Sequence, residues 1–512
     1  IYTHGYGVTM NTANEFTPEG RPRFLLSNMP IEAGADVKLT RPQIYFGQET
    51  NTDVYVKTKQ KEFDFPQSET EAAFTSYEGT GGIPLGGGLR RLLLAWAVGD
   101  MTKLPFSDDV TSESRLLINR NIREIVNGLA PFLIYDRDPY AVISADGRLF
   151  WIIDAYTETD NYPYSRHHQV ESNRVNYIRN SVKVVIDAYN GTTNFYVFDS
   201  DDPLIAAYRA TFPSLFRDAN QMPADLRAHI RYPETLLGAQ GDVYGLYHVQ
   251  NSNVFFQQED AWSIAQQVAL DQQGKKQNQP IDPYFVLMQL RGENKQTEFA
   301  LILPFTPANR NNMIGWMAGR SDGDNYGKLL AYNFPKSRLI DGPLQIEARI
   351  DQDAQLSAQF SLWNQQGSRV LRGHLLVIPI GNSLLYVEPI YLKAESSPMP
   401  ELRLVVLATQ ERLAFGRSFD EAMANLFGDA AKQTGAQKPT EQKTSTGDQA
   451  KPTPTPAVPT TTGTTQQLIN RAVQEFEDYQ KLMAAGRYAE AGKKLEEHKR
   501  TLEELKRAAG KP

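Results

Sequence analysis

The 512-residue chain contains no cysteine. That absence removes disulfides, thiolate zinc sites, iron–sulfur clusters and cysteine nucleophiles in one step. No apolar run approaches the roughly 18 residues that a spanning helix needs; the longest candidate, Leu92 to Val98, reads as a helix-core patch. Blocks of lysine or arginine are also missing, and the net charge is -7, so there is no basic stripe to track a phosphate backbone and nucleic acid is not the expected partner. HExxH, the P-loop and the dinucleotide fingerprint are all lacking. The sequence therefore names no reaction and leaves open whether there is one.

What the chain does have is apolar and aromatic material: 41% hydrophobic residues, with 5 Trp, 24 Tyr and 24 Phe. That suffices for a large core, and the length exceeds what one core usually serves. The body reads as α+β, mainly antiparallel β with short helices, because strand patterns follow one another without regular helical crossovers. It divides into a mixed α/β subdomain at 1–282 and a β-rich subdomain at 283–432. Residues 433–465, rich in Thr, Pro and Lys, read as a flexible, disordered linker, since they offer too little apolar surface to offset ordering. Helical spacing returns at 466–509, through Leu468, Ala472, Phe476 and Tyr479 and then Tyr488, Leu495, Leu502 and Leu505, with Gly486 between. This predicts a helical hairpin, either docked on a partner surface or a solvated coiled-coil appendage.

Local signals sharpen the picture. Asp202 and Pro203 supply a cap and an N1 proline for LIAAYRATF, and Ser418 with Glu421 forms a capping box. A helix is expected from Thr111 or Ser112 through RLLINRNIREIV to Gly128, and another from Leu89 to Val98. Asn190-Gly191 joins SVKVVIDAY to TTNFYVFD as a hairpin, and Gly381-Asn382 joins HLLVIPI to SLLYVEPIYL. YFVLMQL, EFALILPF, LQIEARID and LRLVVLA also read as strands.

Candidate chemistry rests on polar residues in turn-rich segments. Asp136, Asp138, Asp199, Asp201, His229 and Arg231 form the candidate polar cluster, its carboxylates suited to acid and base work on a sugar or lipid. Asp202 is already committed as a cap. Asp322 and Asp324 in SDGDNYG are a weak calcium candidate; the loop has alternating carboxylates but no downstream bidentate Glu, and a plain Asx turn explains it as well. No other cofactor is expected. The seven histidines show no close ligand pairing and read as structural or surface residues. GGIPLGGGLRR could hold an anion at a helix start or simply pack tightly, and DPY, YPYSR and RYPE could be recognition surfaces or hydrogen-bonded corners.

YTHGYG (Tyr2 to Gly7), YEGTGGIPL (Tyr77 to Leu85), DRDPY (Asp136 to Tyr140), WIIDAYT (Trp151 to Thr157), NYIRNSVKVVIDAYNG (Asn176 to Gly191) and RYPE (Arg231 to Glu234) together resemble one bacterial family. It is the uncharacterised protein family UPF0182. FTPANRNNMIGWMAGRSDGDNYGKL (Phe305 to Leu329) and LLYVEPIYL (Leu384 to Leu392) extend the likeness. The resemblance implies several transmembrane helices upstream in the full-length chain, with this region lying outside the cytoplasm of a plasma-membrane-anchored protein. It brings no catalytic residues with it. An opening at Ile1, without a leader pattern, fits the expectation of a region taken from a longer protein. The expected role is to bind an envelope protein, glycan or other ligand, with the upstream spans as the intramolecular partner; the alternative is an envelope hydrolase or transferase using carboxylates.

Overall fold

A computed structural model describes residues 2–434, apart from 35–36, 69, 103, 171–172, 271–275, 291–295, 365–366, 382 and 395–398, together with scattered positions from 471 to 501. The chain forms two compact units, 1–436 and 437–512. The predicted linker lies outside the described residues except for the last residues of a helix that reaches Thr434. In the second unit the described positions, Arg471 to Thr501, are helical.

The first unit begins with short antiparallel pairs and two helices. Helix α1 (Gly88–Ala97) matches the expected apolar helix. The predicted helix from Thr111 is instead a strand, Arg115–Leu117, paired with Val54–Val56 and Ile83–Pro84. Asn119 then takes a left-handed φ of 48°, and α2 (Ile122–Leu129) starts only where the Asn121 side chain accepts from Arg123 N–H at 2.9 Å. The apolar residues on both sides of that break share helical spacing, yet they belong to a strand and a separate helix.

The first large sheet contains β1 (Ile134–Tyr135), β2 (Tyr140–Ile143), β3 (Leu149–Thr159), β4 (Tyr177–Asp187), β5 (Thr193–Val197) and, after α3 (Pro203–Thr211), β6 (Phe216–Asp218). Its order is β1-β3-β4-β5-β6 with β2 also on β3; only the β5–β6 pair is parallel. The Asn190-Gly191 hairpin is as expected, with Gly191 at φ 72°. Both faces are covered. Ile153, Val182, Val184 and Ile186 pack under α2 and α3, while Ile152, Val185 and Tyr196 meet Leu226 and Ile230 from the segment around α4 (Ala224–Arg227). Double coverage is why these strands read as nearly unbroken apolar runs.

Helices α5 (Glu234–Tyr247) and α6 (Ser252–Gln257) lead into a second sheet of β7 (Trp262–Ile264), β8 (Tyr284–Gln289), β9 (Thr297–Pro307), β10 (Gly315–Arg320) and β11 (Leu329–Asn333). The order is β7-β9-β10-β11, with β8 on β9. Tyr156 of β3 shares one core with Tyr232, Leu237, Leu301, Leu303, Phe305 and Met317, which joins the two sheets through α5. Gly245 on α5 sits so close to β7 that an added Cβ would lie 2.6 Å from the Trp262 carbonyl oxygen.

The segment LQIEARID, read as a strand, is α7 (Pro343–Gln352). Pro343 follows Gly342, whose N–H donates to Gln345 Oε1 at 2.9 Å, and Ile346 and Ile350 bury one face at helical spacing. Helix α8 (Ala354–Trp363) precedes the third sheet: β12 (Ser368–Arg372), β13 (Leu376–Ile380), β14 (Ser383–Ala394), β15 (Glu401–Ala408) and β16 (Leu413–Gly416), closed by α9 (Phe419–Thr434). Strands β12 and β13 lie end to end along one side of β14. The Tyr284 hydroxyl of the second sheet donates to the Val377 carbonyl at 2.7 Å and accepts from the Val377 N–H at 2.9 Å. The body is thus mixed α+β and mostly antiparallel, as the sequence indicated.

Candidate functional site

The polar centre of the first unit is built on two adjacent strands. Asp154 on β3 and Lys183 on β4 are register partners. Both are buried, Lys183 completely, and they form a direct ion pair. Burial pushes the Asp154 carboxyl above its usual range against the opposing pull of Lys183. The Lys183 ammonium also lies 5.1 Å from the ring centre of Tyr326, and the Tyr326 hydroxyl donates to Asn180 Oδ1 at 3.3 Å. Tyr326 comes from the SDGDNYG turn, so that motif reaches across to close the charged pair.

Around this pair the RYPE and DRDPY segments meet. The Tyr156 hydroxyl donates to Asp136, and the other Asp136 oxygen accepts from the Asp138 N–H at 3.0 Å. Asp138 pairs with Arg231, whose guanidinium stacks 4.2 Å from the centre of the Tyr140 ring and 5.2 Å from that of Phe285. Tyr232 N–H donates to Ser321 Oγ at 3.0 Å, and its hydroxyl donates to Gln240 at 2.6 Å. Burial, with Asp138 and Asp136 nearby, raises the Glu234 carboxyl.

Of the sequence candidates, the structure brings Asp136, Asp138 and Arg231 together. Asp199 pairs instead with Arg179 at 2.7 Å, Asp201 is exposed before α3, and His229 is exposed after α4. Asp202 caps α3 through the N–H groups of Leu204 and Ile205 and accepts from Thr157, Ser181 and Tyr177. Burial alone would raise its pKa; the surrounding donors lower it overall. Asp322 accepts from the Phe299 N–H at 2.8 Å, and Asp324 is exposed on the adjoining 3-10 turn. Among the described residues no three His, Cys, Asp or Glu side chains cluster as metal ligands.

Sequence reasoning overlooked Asp154 and Lys183. The signal was present: Asp154 within WIIDAY and Lys183 within SVKVVI each interrupt an otherwise uncharged run, a buried charge there requires a partner, and the adjoining strand supplies it. It also overlooked a second polar knot near the start of the chain. Glu62 accepts from Thr3, from the Tyr45 hydroxyl at 2.7 Å and from the Tyr77 N–H at 2.9 Å. His4 stands between Thr3, at 2.9 Å, and Asp64, at 3.1 Å. These residues knit YTHGYG to YEGTGG, and Tyr77 stacks on Tyr189 from the hairpin of the first sheet.

An apolar cleft lies elsewhere, between the end of α5 and α6. Its volume is about 160 Å³, and Leu246, Val249, Val254 and Ala261 line it with Tyr247, Phe255 and Phe256 at the rim and Arg166 alongside.

The sequence pattern of the Uncharacterised protein family (UPF0182) matches residues 1–363. A UPF0182 protein of Pelotomaculum thermopropionicum is 45% identical over 510 residues, covering 100% of this chain and 53% of the relative. One from Desulforamulus reducens is 43% identical over 509 residues, covering 98% and 52%, and one from Moorella thermoacetica is 44% identical over 505 residues, covering 98% and 53%. The chain spans about half the length of these curated relatives. No solved structure matches it. Ordered agreement along the whole body, from the polar knot of YTHGYG to the third sheet, makes this chain a member of the uncharacterised protein family UPF0182.

Proposed function

We propose that this region is the extracytoplasmic part of a plasma-membrane-anchored, multi-pass protein and that it binds a partner protein of the cell envelope. The α5–α6 cleft carries the reading. At about 160 Å³ it is smaller than a typical small-molecule pocket and suits a single apolar anchor side chain. Exposed Tyr247, Phe255 and Phe256 surround it, the kind of aromatic rim that concentrates binding energy at interfaces. The upstream membrane segments of the full-length chain would be the intramolecular partner to which occupancy is passed.

The absence of cysteine among these 512 residues makes a labelling test simple. Phe256→Cys, in a full-length protein whose remaining length has been cleared of cysteine, should react with a membrane-impermeant maleimide in intact cells, and an envelope fraction holding the partner should slow that reaction. No labelling until the cells are lysed would refute the placement; labelling without protection by any envelope fraction would refute the binding role.

A second reading, an envelope hydrolase or transferase acting on glycan or lipid, draws on the meeting of Asp136, Asp138 and Arg231. Asp136 and Arg231 are engaged in holding the seam between the two sheets, which favours the binding reading. Turnover of an envelope substrate abolished by Asp138→Asn, with folding unchanged, would reverse that preference.

A further inference from the structure

Helix α1, GLRRLLLAWA, has only two polar side chains, Arg90 and Arg91. Its inner side rests on the body through Ala95, with Leu94 and Val98 against Leu85, Leu104 and Leu116. A helix apolar all round is ordinarily enclosed all round. Here Leu89, Leu92, Leu93 and Trp96, at i, i+3, i+4 and i+7, form a second stripe facing outward, with Leu89 75% and Trp96 74% exposed. The following loop adds Met101 and Phe106, the latter 79% exposed.

The fold holds these groups outward. The Arg91 guanidinium donates to the carbonyls of Leu104, Ser107, at 2.5 Å, and Val110, at 3.3 Å, which ties the loop carrying Phe106 to the helix. A Cβ built on Gly87, Gly88 or Gly99 would meet nothing within 4 Å, so the glycines at both helix ends have open space beside them. The charge beside the stripe is cationic: α1 has no carboxylate, Arg90 is exposed, and Asp100 just beyond the helix accepts from the Tyr55 hydroxyl at 2.8 Å. Asp108, past the Ser107 anchor, is the first exposed acid.

We infer that α1 and the loop after it form an interfacial insertion element that docks this face onto an anionic lipid surface. The leucines, Trp96 and Phe106 enter the boundary between headgroups and acyl chains, and Arg90 meets the phosphates. A protein groove reads the helical stripe alone, whereas a fluid planar interface also accepts the apolar groups of the loop without shape complementarity. Tryptophan and arginine beside leucine are the side chains that settle at that depth. Ten residues lie along such a surface; they do not cross it.

The 512-residue chain, floated on a density gradient with vesicles containing phosphatidylglycerol, should rise with them and should bind vesicles of phosphatidylcholine alone less well. The pair Leu93→Glu and Trp96→Gln, and separately Phe106→Ser, should lower the floating fraction, the pair by about tenfold. Arg90→Glu should remove the preference for the anionic lipid. Leu339→Ser, at a leucine as exposed as Trp96 but away from α1 and its loop, should leave flotation as in the wild type. A wild-type chain that stays below every vesicle, or a Leu93/Trp96 variant that floats like wild type, overturns the inference. So does a wild-type dimer that the same pair of substitutions makes monomeric, since a second copy would then be what covers the stripe.

Discussion

Asp154 and Lys183 face each other across β3 and β4 inside a wall of tyrosines, and removing either leaves an uncompensated charge in a dry place. Asp154→Asn should therefore cost about 3–5 kcal/mol, while Asp154→Leu combined with Lys183→Met should recover most of that loss. Urea unfolding of the three chains measures this, and equal losses in the single and double variants would show that the pair is not coupled. Glu347 on α7 makes a pH-dependent case. Burial lifts its carboxyl to about 7, with Glu388 pushing the same way and the Val268 N–H opposing. A raised carboxyl costs nothing while both folded and unfolded forms are protonated; the cost enters as pH climbs from the ordinary glutamate range to about 7. Glu347→Gln should thus be near neutral at pH 4 and stabilise the fold by about 3 kcal/mol at pH 8. Thermal unfolding at both values decides, and a gain confined to acid would contradict the sign.

At the scale of elements, the signals that carried best were those with their own geometry. Asp202 with Pro203 and Asn190-Gly191 each specify one local conformation. The misreadings came from patterns that two structures share. LQIEARID alternates well enough for a strand, yet Ile346 and Ile350 are also one helical turn apart, and Gly342-Pro343 ahead of them decided the outcome. RLLINRNIREIV joined a strand to a helix because Asn119 and Asn121, a left-handed residue and a cap, look like ordinary polar positions on a helix. The convergence of Asp136, Asp138 and Arg231 was legible only as turn-rich segments, since about a hundred residues separate Arg231 from its partner and no local rule fixes that distance. Helix α5 can be tested directly. Gly245→Ala should cost about 1–3 kcal/mol through overpacking against the Trp262 backbone, and Gly238→Ala, where the added methyl meets open space, should be neutral or slightly stabilising. Chemical denaturation of the two variants should separate them clearly; equal effects would argue that α5 shifts freely on the second sheet.

At the scale of the first unit, the sheets are fused by shared cores. Tyr156 and Tyr232 bind the first to the second, and Phe334 touches clusters in both the second and third. Unfolding should accordingly be a single event there. Variants retaining only Trp151, in the first sheet, or only Trp316, in the second, should give coincident fluorescence transitions, and separated midpoints would mean that the sheets are independent. The Tyr284 hydroxyl has a different kind of consequence. It occupies both outward hydrogen-bonding groups of Val377, on a strand whose other side is already paired. A lone phenol thereby stands in for a strand, completing a backbone rung in a spot closed to solvent. In Tyr284→Phe the ring would still cover Val377 while its carbonyl and N–H went without partners, a loss of about 1–3 kcal/mol that chemical denaturation should register; an unchanged midpoint would mean that water reaches the rung.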